Sequence, residues 1–526
     1  MIEDPIAFEV IKNMLISISR EMSHSLMRSA FSPNIKERRD HSCAVFDATG
    51  QLVAQSEDIP VHLGAMPLSV KSCISNLGKD LEEGSMALHN DPFTGGSHLP
   101  DLTLVAPVCI KDERVAFVAN RAHHADVGGV SPGSMPGMST TIFEEGVLIS
   151  PRIIVKTGTL IPETVEDLLT KTRTPDERLG DLSAQIAANN VGIRRVHEAA
   201  SKLGLSNILR TMVDLRAYSM ERMKRVLKQH EGRSAEFTDY MDSDGAGTED
   251  IPIKTQLVFK NSGVQVSFEG TADQVAGNVN CPMASTLSSV YFVFLSQFGS
   301  GIPINEGCWT CIEVDVPEGS MLNPRFPAAV SAGNVETSQR IVDVILGALA
   351  QVMPDDTVAA SQGTMNNLTV GGRDPERDSL FSFYETIGGG TGAFRGMEGT
   401  SSIHSHMTNT LNTPIESLES EYPMRVVRYG IREGSGGRGK WNGGQGVVRE
   451  IEILAEDCTV SIQSERRSRG PWGLQGGLEG APGQNTLVVE GIESKLPAKF
   501  TRQVPRGAVI RIETPGGGGW GTDSEA

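Results

Sequence analysis

The sequence predicts an α+β protein of several lobes: an N-terminal lobe mixing helix and strand, a central α/β part and a C-terminal lobe of antiparallel strands. Three observations carry this reading. The chain has 526 residues, more than a single hydrophobic core usually sustains. Apolar residues recur at helical spacing near the start and again between about residues 163 and 229, whereas elsewhere short β-branched runs alternate with turn residues. The 57 glycines crowd the second half, with apolar runs between them, a pattern of tight turns in β-rich lobes. The composition shifts divide the chain into 1–160, a helical segment 161–232, a central lobe 233–423 and a C-terminal lobe 424–526.

Taken in order, Phe8, Val10, Ile11, Met14, Leu15, Ile18, Met22, Leu26 and Met27 recur at helical spacing in one long amphipathic helix that Asp4 and Pro5 open and Ser32-Pro33-Asn34 closes. A charged run, Ile35-Lys36-Glu37-Arg38-Arg39-Asp40, leads into a strand over 42–46, a turn at Asp47-Ala48-Thr49-Gly50 and a second strand over 51–55. A helix is expected from about 68 to 77. The β-branched runs 102–108 and 115–119 flank the charged turn Lys111-Asp112-Glu113-Arg114 and read as a hairpin. The loop 128–137, rich in glycine and proline, is long enough to expect a role beside a pocket. Gln185, Asn189, Asn190 and Arg194 form a polar stripe on the helical stretch that follows, facing a pocket or solvent. Further on, strands at 253–259 and 264–268, a helix over 283–298, a strand over 310–316 and a helix over 341–352, capped by Glu336 or Thr337, make up the central part. Residues 425–521 alternate short strands and turns, as in a small sandwich or barrel. The tail Pro515-Gly516-Gly517-Gly518-Gly519-Trp520-Gly521 carries the entropy of a loop unless a pocket or partner orders it.

Charge and cysteines narrow the setting. A formal net charge of -18 argues against nucleic acid or an anionic membrane as partner, and no apolar run is long enough to span a bilayer. The acidic start Met1-Ile2-Glu3-Asp4-Pro5 lacks a signal-peptide pattern. Seven scattered cysteines fit a reducing cytoplasm. Cys308-Trp309-Thr310-Cys311 is a lone pair of thiols, better read as buried side chains than as a zinc or redox site.

The chemistry concentrates in Asp91-Pro92-Phe93-Thr94-Gly95-Gly96-Ser97-His98-Leu99-Pro100-Asp101 and Arg121-Ala122-His123-His124-Ala125-Asp126, although the chain has only 11 histidines. A hairpin sets the start of its first strand beside the end of its second, so His98 and Asp101 should face His123. Two imidazoles and a carboxylate suit a divalent ion such as zinc, manganese or iron. Turn caps or hydrogen-bonded core histidines are the competing reading. Gly434-Ser435-Gly436-Gly437-Arg438-Gly439-Lys440-Trp441 falls short of a P-loop, because Trp441 stands where Ser or Thr must reach Mg²⁺. No nucleotide site or activated nucleophile emerges.

Ile35 to Asp40, Asn90-Asp91-Pro92-Phe93, Gly96 to Asp101, His123 to Gly129 and the terminal Pro-Gly-Gly-Gly-Gly-Trp-Gly resemble the hydantoinase B/5-oxoprolinase family, over essentially the whole chain. The resemblance implies the metal-containing half of a two-subunit or fused ATP-dependent enzyme. Its partner is a hydantoinase A-like subunit that carries the ATP site, so a hetero-oligomer is expected. It implies one divalent ion on His98, Asp101 and His123, with Asp40 completing the set, and Glu37, Asp40 and His124 as catalytic groups. Whether His123 or His124 binds the ion stays open.

The implied reaction is cyclic amide hydrolysis. The partner phosphorylates the amide oxygen, and water acidified toward a pKa of about 7 attacks the ring carbon, with Asp40 or Glu37 as general base. The alternative within the family is carboxylation of a ketone such as acetone or acetophenone; the shorter chain favours hydrolysis. A scaffold with a structural metal is the third reading, disfavoured because structural zinc sites prefer thiolates in closed tetrahedra.

Overall fold

A computed structural model describes residues 4–56 and 59–523, so the acidic start Met1 to Glu3 lies outside the described residues. The first helix, Pro5–Ser29, begins as its sequence requires. Asp4 accepts hydrogen bonds from the Ile6 and Ala7 amides, and Pro5 occupies the first turn. Phe8, Ile11, Leu15, Ile18, Met22 and Leu26 are buried at three- and four-residue intervals. That stripe packs on the long helix Pro175–Leu203 and on the strand His41–Asp47.

Beneath these helices lies a seven-stranded sheet in the order Leu52–Gln55, His41–Asp47, Glu113–His123, Asp101–Ile110, Met86–His89, Arg152–Lys156 and Thr159–Leu160. Its neighbours pair antiparallel. Both of its faces are covered: Cys43 and Val45 belong to the core under the helices, Ala44 and Phe46 to a core that also holds Met241, Phe259, Phe294 and Ile345. That is why its strands read as continuous apolar runs rather than alternating ones.

The polar stripe on helix Pro175–Leu203 splits in two. Gln185 and Asn189 are buried and donate to the Leu102 and Leu104 carbonyls, whereas Asn190 and Arg194 are exposed. The next helix, Leu205–Leu227, leads to a four-stranded sheet of Ser234–Ser243, Glu249–Lys260, Gly263–Ser267 and Ile312–Asp315, packed against helix Ser338–Val352, on which helix Met283–Phe298 lies in turn. Glu336 and Thr337 do not cap the latter helix; they lie in a single π-helical turn, Gly333–Thr337, that runs into it.

The C-terminal part is two antiparallel sheets around one core, and neither closes into a barrel. Asn367–Asp374 and Ser379–Glu385 pair with Cys458–Gln463 and Lys499–Val504; Met424–Arg432 pairs with Gly446–Ile453, which continues through Val509–Glu513 to Gln484–Val489 and Ile492–Leu496. The glycine tail is not a free loop. Gly517 donates to the Gly444 carbonyl and accepts from the Gly437 amide, and Gly518 bonds to Ala360 and Ala393, so Pro515–Gly521 is buried among other glycine-rich segments. Among the described residues no helix is long and apolar enough to cross a membrane.

Candidate metal centre

The hairpin of Asp101–Ile110 and Glu113–His123 is in the register that pairs Asp101 with His123 across the two strands. On the other side of the second strand, the His123 amide donates to the Asp40 carbonyl, just before the strand His41–Asp47 begins. Three neighbouring strands therefore bring Asp101, His123 and Asp40 to one edge of the sheet. His98 arrives from the turn before Asp101, whose amide donates to the His98 carbonyl. That turn needs glycine: a Cβ on Gly96 would lie 2.4 Å from the Asn90 carbonyl oxygen.

His98 Nε2, Asp101 Oδ1 and His123 Nδ1 form a nearly equilateral triangle. His98 to Asp101 is 3.1 Å, His98 to His123 3.2 Å and His123 to Asp101 3.3 Å. All three side chains are buried. Hydrogen bonds alone leave such a triangle frustrated. If both imidazole nitrogens carry protons toward Asp101, the two protons crowd each other; if one is bare, its lone pair faces a carboxylate. Nitrogen and oxygen donors about 3 Å apart are what one cation bonded to each at about 2.0–2.2 Å requires, so the residues fit a divalent ion. This is the one such group among the described residues.

The electrostatics agree with that fit. Burial pushes the His123 imidazole below its ordinary value, against the opposing pull of Asp101 and Asp40. Burial alone would raise the Asp101 carboxyl; the facing His98 and hydrogen bonds from His123, His62 and His98 instead hold it well below the usual range. Ser97 donates to Asp101 Oδ2 and is itself held by Arg121, which also reaches Thr103 and Ser69.

Asp40 lines the same small cavity, of about 20 Å³, with His62, His98, Asp101, His123 and Tyr384, but lies outside the tight triangle. His124 does not reach the cavity. Neighbours on a strand point to opposite faces, and His124 Nε2 sits 3.0 Å from Gln185 Oε1 under the long helix, where burial, reinforced by Arg178, pulls it down to about 4. Glu37 is half-buried at the end of the short turn Pro33–Lys36 and lines no part of this cavity. Nor does the loop 128–137, whose Pro136 carbonyl instead accepts from Asn278 and Gln463.

Sequence reasoning missed His62. Its Nε2 lies 3.5 Å from Asp101 Oδ2 and its Nδ1 2.9 Å from Ser42 Oγ, on a segment with no repeat or spacing to signal it. Tyr384, Thr386, Asn334 and Thr408 on the cavity wall come from far along the chain.

The family model for hydantoinase B/oxoprolinase matches residues 4–523. The chain belongs to the hydantoinase B/oxoprolinase family. It is 41% identical to the 5-oxoprolinase of Dictyostelium discoideum over 98% of its own length, spanning about two-fifths (40%) of that longer protein. The putative B component of a D-/L-hydantoinase from a Pseudomonas species is 31% identical, with 99% of this chain and 90% of that one aligned. The crystal structure of the ATP-dependent caprolactamase from Pseudomonas jessenii superposes with a TM-score of 0.92 at 26% identity, covering 99% of this chain and 92% of the other.

Proposed function

We propose that this member of the family is the ion-holding, hydrolytic part of an ATP-dependent cyclic amide hydrolase, and that it works with a hydantoinase A-like unit that binds ATP and phosphorylates the ring carbonyl. The observation that carries the reading is the triangle of His98 Nε2, Asp101 Oδ1 and His123 Nδ1, with edges of 3.1–3.3 Å. The names of relatives above 30% identity, 5-oxoprolinase and D-/L-hydantoinase, put amide opening ahead of ketone carboxylation.

A divalent ion bound there supplies Lewis acidity, which lets water act as a nucleophile near neutral pH. The chain's own residues supply the rest. His98, Asp101 and His123 are the ligands, with Asp40 and His62 on the same wall to complete or adjust the set. Where Asp40 stays off the ion, its carboxylate takes the proton released as water attacks the ring carbon. The Thr386 and Thr408 hydroxyls and the Asn334 amide line the cavity and offer hydrogen bonds to oxygen as charge develops on it. Val335, Met365 and Met407 close the remaining wall and keep bulk water out.

The test is His98→Ala in the complex co-expressed with its ATP-binding partner. ATP consumption should persist, while bound metal and ring opening fall by about 100-fold or more. Undiminished ring opening would contradict the proposal.

A further inference from the structure

Asp40, His123 and Asp101 stand at the edge of three adjacent strands. Two residues further in, Ser42 pairs with Arg121 and Arg121 with Thr103 across the same strands. Side chains two apart on a strand share a face, so a second row of polar side chains lies directly behind the first. All three of its members are buried.

Two chains of hydrogen bonds run from this row to one atom, Asp101 Oδ2. In the first, Arg121 is fixed by Thr103 Oγ1 and Ser69 Oγ and donates through Nη1 to Ser97 Oγ at 3.2 Å. Arginine offers donors only, so the Ser97 hydroxyl gives its own proton to Asp101 Oδ2. In the second, the short helical turn Pro60–His62 presents two groups to Ser42. The Ile59 amide donates to Ser42 Oγ at 3.2 Å, and His62 Nδ1 lies 2.9 Å from the same oxygen. Among the described residues that ring nitrogen is the one acceptor the Ser42 hydroxyl reaches. The hydroxyl proton therefore goes to Nδ1, and the imidazole carries its own on Nε2. Nε2 faces Asp101 Oδ2 at 3.5 Å, a long contact beside the short one from Ser97.

The carboxylate is thereby divided: Oδ2 faces two donors, whereas Oδ1 faces His98 Nε2 and His123 Nδ1. A dication at the triangle attracts both oxygens of a carboxylate, and an unrestrained Asp101 would turn to grip it with both. That would fill a position which a reactive site keeps open. His62 is not drawn into the ligand set itself, since it lies outside the group whose donor atoms are all within 4.8 Å of one another. We propose that Ser97 and His62, their protons oriented by Arg121 and Ser42, are positioning residues that confine Asp101 to the ion through Oδ1 alone. This rests on the ion site proposed above and adds what fixes the number of protein atoms at the ion.

Cobalt(II) is the probe, because its visible absorption reports how many atoms surround it. The full chain, stripped of metal with a chelator and reloaded with cobalt, is compared with Ser97→Ala, His62→Leu and His62→Gln; glutamine keeps a side-chain N–H and leucine does not. Ser97→Ala and His62→Leu should each bind cobalt about tenfold or more weakly and show the weaker absorption of a higher coordination number, with His62→Gln close to the native chain. The thermal midpoint of the metal-free chain is read alongside. A merely structural role lowers that midpoint and leaves the spectrum of the bound ion as it was. Native cobalt spectra in both Ser97→Ala and His62→Leu overturn the proposal, and a change in one alone keeps that residue's role and strikes the other's. A native chain that takes up no cobalt removes the ion site, and this inference with it.

Discussion

Tyr384 lies almost flat on His123, the two ring centroids 4.4 Å apart with 11° between their planes. Its hydroxyl donates to Asn367, whose amide donates to Glu336 in the π-helical turn Gly333–Thr337, and the Arg38 guanidinium packs over the same ring. A residue from a strand of the C-terminal part thereby fixes the orientation of an imidazole in the N-terminal sheet. Aromatic contacts of this kind are worth about 0.5–1.5 kcal/mol beyond burial. Tyr384→Leu should therefore weaken divalent metal binding by about tenfold, whereas Tyr384→Phe, which keeps the ring, should bind nearly as the native chain does. Competition with a chromophoric chelator measures both, and equal affinity in Tyr384→Leu would show that the stack is immaterial to the site.

Glu336 sets a pH dependence of stability. Burial, reinforced by Glu465 and opposed by Lys499 and by hydrogen bonds from Thr364 and Met365, raises its carboxyl from 4.5 to about 7. Its Oε1 is hydrogen-bonded and its Oε2 has no partner. The folded chain binds this proton more tightly than the unfolded chain, so the contribution is fully present below about 4.5 and is lost as pH rises toward about 7, by up to about 3 kcal/mol. Glu336→Gln keeps the acceptor and removes the charge. Denaturant unfolding across pH 5 to 8 should show the variant more stable than the native chain at pH 8 and flatter between the two ends; a parallel pair of curves would contradict this.

The buried tail predicts a steep cost for one methyl group. A Cβ on Gly517 would lie 1.9 Å from the Thr391 carbonyl oxygen and 2.2 Å from its carbon, both main-chain atoms. Gly517→Ala should lower stability by about 2 kcal/mol or more, read as a clear drop in the thermal midpoint. Gly430→Ala, at an exposed position with nothing within 4 Å of the added carbon, should stay within about 0.5 kcal/mol of the native chain.

The lone C-x-x-C should prove inert. Burial raises both Cys308 and Cys311 to about 11, leaving thiols rather than the thiolates that metals and disulfide exchange require. Cys311→Ala should leave metal content per chain unchanged by elemental analysis; loss of metal would move the site away from the triangle.

The triangle was legible because a hairpin converts sequence separation into geometry. Once the charged turn at Lys111 to Arg114 fixes the pairing, Asp101 and His123 must meet, and His98 is three residues away. The choice between His123 and His124 was not legible, since both lie at the strand's end; strand alternation and the glutamine at 185, on a helix some sixty residues later, send His124 to the opposite face. His62 and Tyr384 were invisible for a related reason. Each reaches the cavity through long-range packing that no local period encodes. The tail misled because glycine reads as conformational freedom, whereas here the missing side chains let several main-chain segments approach to hydrogen-bonding distance. Glu336 looked like a helix cap by spacing, yet it is spent on the main chain of Met365 and on Asn367.

The central claim is that one divalent ion sits on His98, Asp101 and His123. Anomalous diffraction from crystals of the metal-loaded chain, collected above and below the absorption edge of the ion found by elemental analysis, tests it most directly. One strong peak is expected about 2.0–2.3 Å from His98 Nε2, Asp101 Oδ1 and His123 Nδ1, absent in Asp101→Asn. A peak elsewhere, or a peak at this position that survives Asp101→Asn, would contradict it.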